Sequence, residues 1–342
     1  MKHLPILNED PSATLSSIGF FSMNDERVKL ASDSSPMKFC KMIILGGCNF
    51  KCPYCKPLAK ELFGKKRILS LEQIKANIDW WCEGTPLESI RFSGGECTLH
   101  PDLVEVIKYC KEKGITKIAI STNGSAPFSL YEKLVLAGVN DMSISLDGHD
   151  EDTIDKMAGV KGIYQKLVDN ISNIAKICYV TLGIVLTDSN IESALQTIQF
   201  AYDLGVHDIR LTTASQSSVR FDVYDRIPQY ILDKFPILKY RVQRSKDTGL
   251  KVRGMKPTDS PYCGLALDDS VIAGEYHFPC AVYMREGGSP ISKVSCNMRK
   301  ERKEWADTHN TLQDPICSKY CMDFYIDYNN KFRDCHQDQL GK

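Results

Sequence analysis

The chain has 342 residues, 43% of them apolar, enough for one large α/β domain and a smaller companion around a packed core. Its 43 basic residues balance 43 acidic ones, so no global field draws it to a nucleic-acid backbone or an anionic membrane, and neither is expected as a partner. Fourteen cysteines, with no signal-peptide pattern over residues 1–24, suggest a reducing, cytoplasmic setting where clustered thiols serve as metal or cluster ligands and not as disulfides.

Residues 1–37 are serine-rich with little periodicity, and an extension with at most a short strand or hairpin is expected there. Apolar, β-branched runs follow at Phe39–Leu45, Ser89–Phe92, Lys117–Ser121, Asp141–Leu146, Tyr179–Leu186 and Asp208–Thr212. Between them, helical periodicity marks Leu71–Trp81, Pro101–Lys113, Leu130–Ala137, Tyr164–Ile177 and Ile191–Leu204. Gly114, Gly138 and Gly205 stand where helix-terminating glycines belong. This alternation predicts parallel β/α units over residues 38–223. Beyond Val223 the rhythm stops, and Pro228, Pro236, Pro257 and Pro261 punctuate a linker into a second domain, residues 224–342. The basic runs Lys65–Arg67 and Arg299–Lys303 read as solvated helix faces. Cys40, Cys82, Cys110 and Cys178, scattered through apolar segments, read as buried small hydrophobes.

Cys48, Cys52 and Cys55 form a C-x3-C-x2-C triplet directly after the first predicted strand. Three thiolates on one short loop can hold three irons of a cubane cluster and leave the fourth iron open to a second molecule. The triplet resembles the signature of the radical S-adenosylmethionine (radical SAM) superfamily. The resemblance implies a [4Fe-4S] cluster that binds SAM, a partial (β/α)6 TIM-type barrel, and hydrogen abstraction by a 5′-deoxyadenosyl radical. Chemistry in such barrels sits on loops at the carboxyl ends of the strands, where this triplet lies.

Further segments fit the same family in the same order. Gly94-Gly95-Glu96 matches its Gly-Gly-Glu motif, with the glycines allowing close backbone approach and the carboxylate facing the SAM amino group. Cys97 stands where many relatives have proline, and a silent substitution is expected. Thr122 and Ser145, at the ends of the third and fourth strands, match SAM carboxylate and ribose contacts. Leu186 on the fifth strand and Tyr54 in the triplet loop match the adenine side. Together the motifs cover residues 38–212.

Cys263, Cys280, Cys296, Cys317, Cys321 and Cys335 crowd the last 80 residues, which indicates a second iron-sulfur site. Cys263 and Cys280 bracket a hairpin expected to turn at Gly274, resembling the opening of Twitch/SPASM auxiliary-cluster domains. The resemblance implies a small C-terminal α+β domain with one auxiliary [4Fe-4S] cluster on Cys263, Cys280, Cys317 and Cys321, Cys335 being the alternate ligand. A competing partition reads Phe324–Phe332 as a second hairpin turning at Tyr328-Asn329-Asn330, with the Cys321 to Cys335 spacing of the molybdenum-cofactor GTP cyclase. Met322-Asp323-Phe324 stands where that family has arginines, and the chain ends Leu340-Gly341-Lys342 without its terminal diglycine, so GTP is not the expected substrate.

The expected activity is oxidative modification of an unactivated C–H bond in a peptide or a sugar-like small molecule, with a flavodoxin- or ferredoxin-type reductant. Epimerisation with Cys296 as hydrogen donor is the alternative within the family. A non-catalytic iron-sulfur protein for electron transfer or redox sensing is the alternative outside it. Arg210 and His149, after the sixth and fourth strands, are candidates to orient an anionic substrate or accept a proton.

Overall fold

The structure, a computed structural model, describes residues 25–35, 37–56, 58, 62, 68–83, 87–217, 222–249 and 252–336. Nine strands form one sheet: β1 Phe39–Leu45, β2 Ser89–Gly94, β3 Lys117–Thr122, β4 Asp141–Ser145, β5 Tyr179–Leu186, β6 Asp208–Thr213, β7 Asp269–Ala273, β8 Tyr276–Phe278 and β9 Ser292–Lys293. The helices are α1 Asp25–Leu30, α2 Leu71–Cys82, α3 Leu103–Glu112, α4 Phe128–Ala137, α5 Glu151–Ala158, α6 Tyr164–Ile174, α7 Ala194–Asp203, α8 Gln229–Lys234, α9 Pro236–Thr248, α10 Ala281–Arg285, α11 Met298–Thr308, α12 Pro315–Tyr320 and α13 Asp323–Cys335.

The sheet order is β6-β5-β4-β3-β2-β1-β7-β8-β9, with parallel pairing from β6 through β7. The sheet does not close, giving the α/β partial (β/α)6 barrel expected from the strand–helix rhythm. The main core lies between strands and helices: Met42 and Ile44 of β1, Ile74 and Ile78 of α2, and Val106 and Ile107 of α3 are all fully buried. Alternation along β1 leaves Lys41 on the opposite side from Cys40 and Met42. Cys40, Cys110 and Cys178 are buried in this core as expected of small hydrophobes, with Cys82 packed at its margin.

Beyond β6 the chain returns to the barrel. β7 pairs parallel to β1, with Phe39 opposite Asp269 and Ile43 opposite Ala273, so the C-terminal strands extend the barrel's own sheet. The hairpin about Gly274 is present: Ala273 pairs with Tyr276 across a glycine at φ +62°. The expected hairpin over Phe324–Phe332 is not formed; those residues belong to the 13-residue helix α13. Its buried residues Ile326, Tyr328, Asn329 and Phe332 follow a helical face. The asparagines bond tertiary partners in place of forming a turn: Asn329 Oδ1 accepts from Leu265 N at 2.9 Å, and Asn330 Oδ1 from Ser260 N at 2.7 Å. Residues 25–30 form α1, and the rest of the expected N-terminal extension up to residue 24 lies outside the described residues.

Three arginines brace the C-terminal segment. Arg241 of α9 pairs bidentately with Asp323 at 2.9 and 2.8 Å, and Arg27 pairs with Asp268. Arg302 of α11, read from sequence as part of a solvated face, is 1% exposed. It donates to the carbonyls of Ala266 at 2.7 Å, Phe278 at 2.8 Å and Pro279 at 3.1 Å, and to that of Asp269.

Candidate active site

The cysteine loop leaves β1 at Leu45 and is held by the ends of β2, β3 and α5. Gly95 N donates to Leu45 O at 2.9 Å and Glu96 N to Gly47 O at 2.8 Å. Lys51 N donates to Ala158 O at 2.9 Å. Asn49 donates to Ser125 Oγ at 2.8 Å and accepts from Asn123 Nδ2 at 2.8 Å. A Cβ on Gly95 would lie 1.9 Å from Gly47 O, so only glycine lets the two loops cross here. The Gly-Gly pair is therefore required by the cysteine loop itself, whatever ligand it also admits.

A cavity of about 420 Å³ opens over these strand ends. Cys48, Cys52 and Cys55 line it together with Tyr54, Gly94, Gly95, Glu96, Thr122 and Ser145. Leu186 does not: it is fully buried among core residues, while Val185, one position earlier and on the other face of β5, lines the cavity. Glu96 is 1% exposed and saturated by neighbours. Its Oε1 accepts from Thr98 N at 3.0 Å, Thr98 Oγ1 at 2.7 Å and Thr122 Oγ1 at 2.7 Å, and its Oε2 from Asn123 N at 2.6 Å. It thus locks the end of β3 to the end of β2. Cys97 is fully buried with its thiol on Ser121 O at 3.2 Å, inert as expected.

Tyr54 donates its hydroxyl to Asp147, whose other oxygen accepts from Val185 N at 2.6 Å. Burial raises the Asp147 carboxyl to about 6 against these hydrogen bonds. Gln216 Nε2 donates to Tyr54 O at 2.6 Å, closing the triplet loop against the segment after β6. Asp147, Asn123 and Gln216 bear on the site although the motifs alone did not single them out.

The triplet suits a cationic cluster. Burial pushes the Cys48 thiol up and the Cys52 thiol up to about 12, so their thiolates need positive charge supplied from iron. Cys48 Sγ already accepts from Phe50 N at 3.3 Å.

The C-terminal thiols form a second convergence. Cys263 precedes the Gly264–Leu267 turn, Cys280 caps α10, Cys317 lies in α12 and Cys321 follows it. After burial, their mutual repulsion is the main effect raising the Cys317 and Cys321 thiols. Burial and Cys263 push Cys280 up to about 12. Donors already face these sulfurs: Tyr283 N at 3.4 Å from Cys280 and Asn329 Nδ2 at 3.7 Å from Cys263. Cys335 is exposed at the far end of α13, about 18 Å along the helix from its start near Cys321. The helix in place of a hairpin is what carries it away.

Arg210 lines the cavity and donates to Ser143 Oγ at 2.9 Å. His149 and Cys296 do not line it. His149 turns to Asp150, the N-cap of α5, at 3.2 Å, and Cys296 is exposed beyond β9.

The model of the radical SAM superfamily matches residues 42–201, the stretch that builds this loop and cavity. The chain carries a radical SAM domain. It is 28% identical over 244 residues to a "Probable GTP 3′,8-cyclase" of Saccharolobus solfataricus, covering 66% of this chain and 76% of that protein. By structure, the radical SAM domain and the segment after it resemble Streptococcus suis SuiB bound to precursor peptide SuiA: TM-score 0.58, 14% identity, covering 85% of this chain and 67% of SuiB. They also resemble anSMEcpe with bound AdoMet: TM-score 0.59, 13% identity, covering 90% of this chain and 98% of that one. At such identities these two establish the fold alone. No helix among the described residues is long and apolar enough to cross a membrane.

Proposed function

We propose that this protein is a radical SAM enzyme that abstracts hydrogen from an unactivated C–H bond and completes an oxidative modification of a peptide or sugar-like small molecule with the help of one auxiliary cluster. The single observation that carries this reading is the convergence of four further thiols, Cys263, Cys280, Cys317 and Cys321, within the segment that also delivers Arg253 and Arg285 to the cavity. Arg253 lines the cavity and donates to Tyr320 O at 3.2 Å, next to Cys321. A [4Fe-4S] cluster on Cys48, Cys52 and Cys55 would supply the electron that cleaves SAM, and one on Cys263, Cys280, Cys317 and Cys321 would accept an electron from substrate.

The chain's own residues hold the parts in place. Glu96 and Asn123 fix the loop that bears Cys48. Tyr54 and Asp147 join along the cavity wall, with Ser145 and Thr122 lining it at the strand ends. The epimerase reading is weakened because Cys296 is outside the cavity. A pure electron carrier would leave the cavity without purpose. A second reading, cyclisation of a nucleotide as in the relatives named GTP 3′,8-cyclase, is favoured by the 28% identity. The SuiA-bound neighbour favours a peptide substrate. A flavodoxin- or ferredoxin-type protein fits as reductant.

The test is electron paramagnetic resonance of the anaerobically reconstituted, reduced protein with and without SAM. Two cluster signals are expected, only one of them altered by SAM, because three thiolates leave an iron open and four do not. A single signal, or two signals both indifferent to SAM, would refute the proposal.

A further inference from the structure

The interior of a β/α barrel is normally filled by layers of apolar side chains, yet here it carries a run of cations. Lys41 of β1 stands beside Arg91 of β2 in register, and Arg210 of β6 faces the same space. Arg253 and Arg285 enter it from the C-terminal segment. Lys41, Arg210, Arg253 and Arg285 all line the cavity and are all partly buried.

Most of the nearby carboxylates are occupied, while one buried oxygen of Asp269 has no hydrogen-bond partner among the described residues. Asp141 is taken by Arg91, and Glu286 by Lys56. Glu96 and Asp147 face backbone N–H groups and hydroxyls. Asp269 attracts Lys41 only from beyond ion-pair distance among the described residues. Arg210 has Ser143 Oγ at 2.9 Å; Arg253 has the Thr213 and Tyr320 carbonyls at 3.2 Å each; Arg285 has the Lys56 and Gly94 carbonyls at 3.3 and 3.2 Å. The Lys41 side chain shows no hydrogen bond or ion pair among the described residues, its backbone being paired with β2 and β7. Buried charge without counter-charge is costly, and a site that keeps it is built for a ligand that supplies the counter-charge.

SAM does not meet this need. Its amino-acid end belongs at the cysteine loop, and Lys41 lies four residues before Leu45, about 13 Å deeper along the strand. Arg285, beside Cys55, is placed to offset cluster charge. Arg253, bonded to Thr213 O at the carboxyl end of β6, stands at the mouth, and Lys41 and Arg210 remain.

We infer that Lys41 and Arg210 bind a doubly charged anionic group of the substrate, a phosphate or a pair of carboxylates, at the inner end of the cavity. This rests on the radical SAM reading above and narrows its substrate to an anionic molecule. The anion anchors the substrate from below and leaves its far end beneath the cysteine loop, where hydrogen is removed. Burial among like charges lowers Lys41 to about 7 and Arg210 to about 10, and a bound anion would raise both and hold Lys41 protonated.

The test uses cluster-loaded, SAM-saturated full chain under anaerobic conditions. Inorganic pyrophosphate and succinate are titrated separately by calorimetry, with iron content checked before and after. At least one is expected to bind. Lys41→Met and Arg210→Gln should each weaken it by at least about tenfold, the loss of one charge-assisted hydrogen bond, and Lys41→Arg should restore most of it. Binding of pyrophosphate alone marks a phosphorylated substrate, and of succinate alone a carboxylate. No binding of either to protein whose cluster signal responds to SAM would overturn the inference. So would binding that is unchanged in both variants, or loss of the SAM response together with anion binding, since the cations would then serve SAM. A wild-type signal indifferent to SAM would instead be a failure of the radical SAM reading.

Discussion

Replacing Cys48, Cys52 and Cys55 together by alanine is expected to abolish SAM cleavage while about four irons per chain remain, held by Cys263, Cys280, Cys317 and Cys321. The two sets of thiols stand on separate supports. The triplet loop is anchored to β2, β3 and α5 through Gly95, Asn123 and Ala158. The second set is anchored to α13 and the Gly264–Leu267 turn through Asn329, which reaches both Cys263 Sγ and Leu265 N. Loss of one set therefore leaves the other's scaffold intact. Removing three partly exposed thiols from a loop opens no core cavity, so the variant should fold and keep the unfolding midpoint of wild-type chain that lacks the loop cluster. Iron analysis alongside circular dichroism checks this. Loss of all iron from a folded variant would show that the C-terminal thiols hold no cluster.

Arg302→Met should do the converse, emptying the second site while sparing the first. The guanidinium is buried and serves the carbonyls of Ala266, Phe278, Asp269 and Pro279. Two of these neighbour thiols of the C-terminal set: Pro279 precedes Cys280, and Ala266 belongs to the turn that Cys263 opens. A methionine fills much of the volume but donates nothing. Four buried acceptors would lose their donor at about 1–3 kcal/mol each, so a destabilisation of at least about 4 kcal/mol is expected, concentrated in the segment after β6. The readouts are a lowered unfolding midpoint and fewer than about six irons per chain, with the SAM-responsive signal retained. An unchanged midpoint and full iron would show that Arg302 is dispensable.

The motifs at strand ends were readable because strand alternation and loop position constrain them strongly. The triplet, Gly94-Gly95-Glu96 and Thr122 meet at one cavity, as their order implied. The misreadings have local causes. Leu186 and Val185 differ by one position, and with β5 buried on both faces the hydrophobic pattern cannot say which points inward. Tyr328-Asn329-Asn330 has turn chemistry, but both asparagines are spent on Leu265 and Ser260, contacts formed only after the chain returns to the barrel. Arg302 sits in a charged run whose other members face solvent, Ser32–Ser35 or, for Glu301, the buried His277, and nothing local marks it as the buried one. Lys41 did carry a signal, a lone lysine inside the apolar run Phe39–Leu45. Arg253 and Arg285 carried none, because the C-terminal segment brings them to the cavity.

The central claim is that the cavity beneath Cys48, Cys52 and Cys55 cleaves SAM. Anaerobically reconstituted protein incubated with SAM and dithionite, followed by chromatography of the products, tests it most directly. The account predicts 5′-deoxyadenosine and methionine in equal amounts, absent without dithionite and absent from the triple alanine variant. Reconstituted protein with both clusters in place that forms no 5′-deoxyadenosine would contradict it.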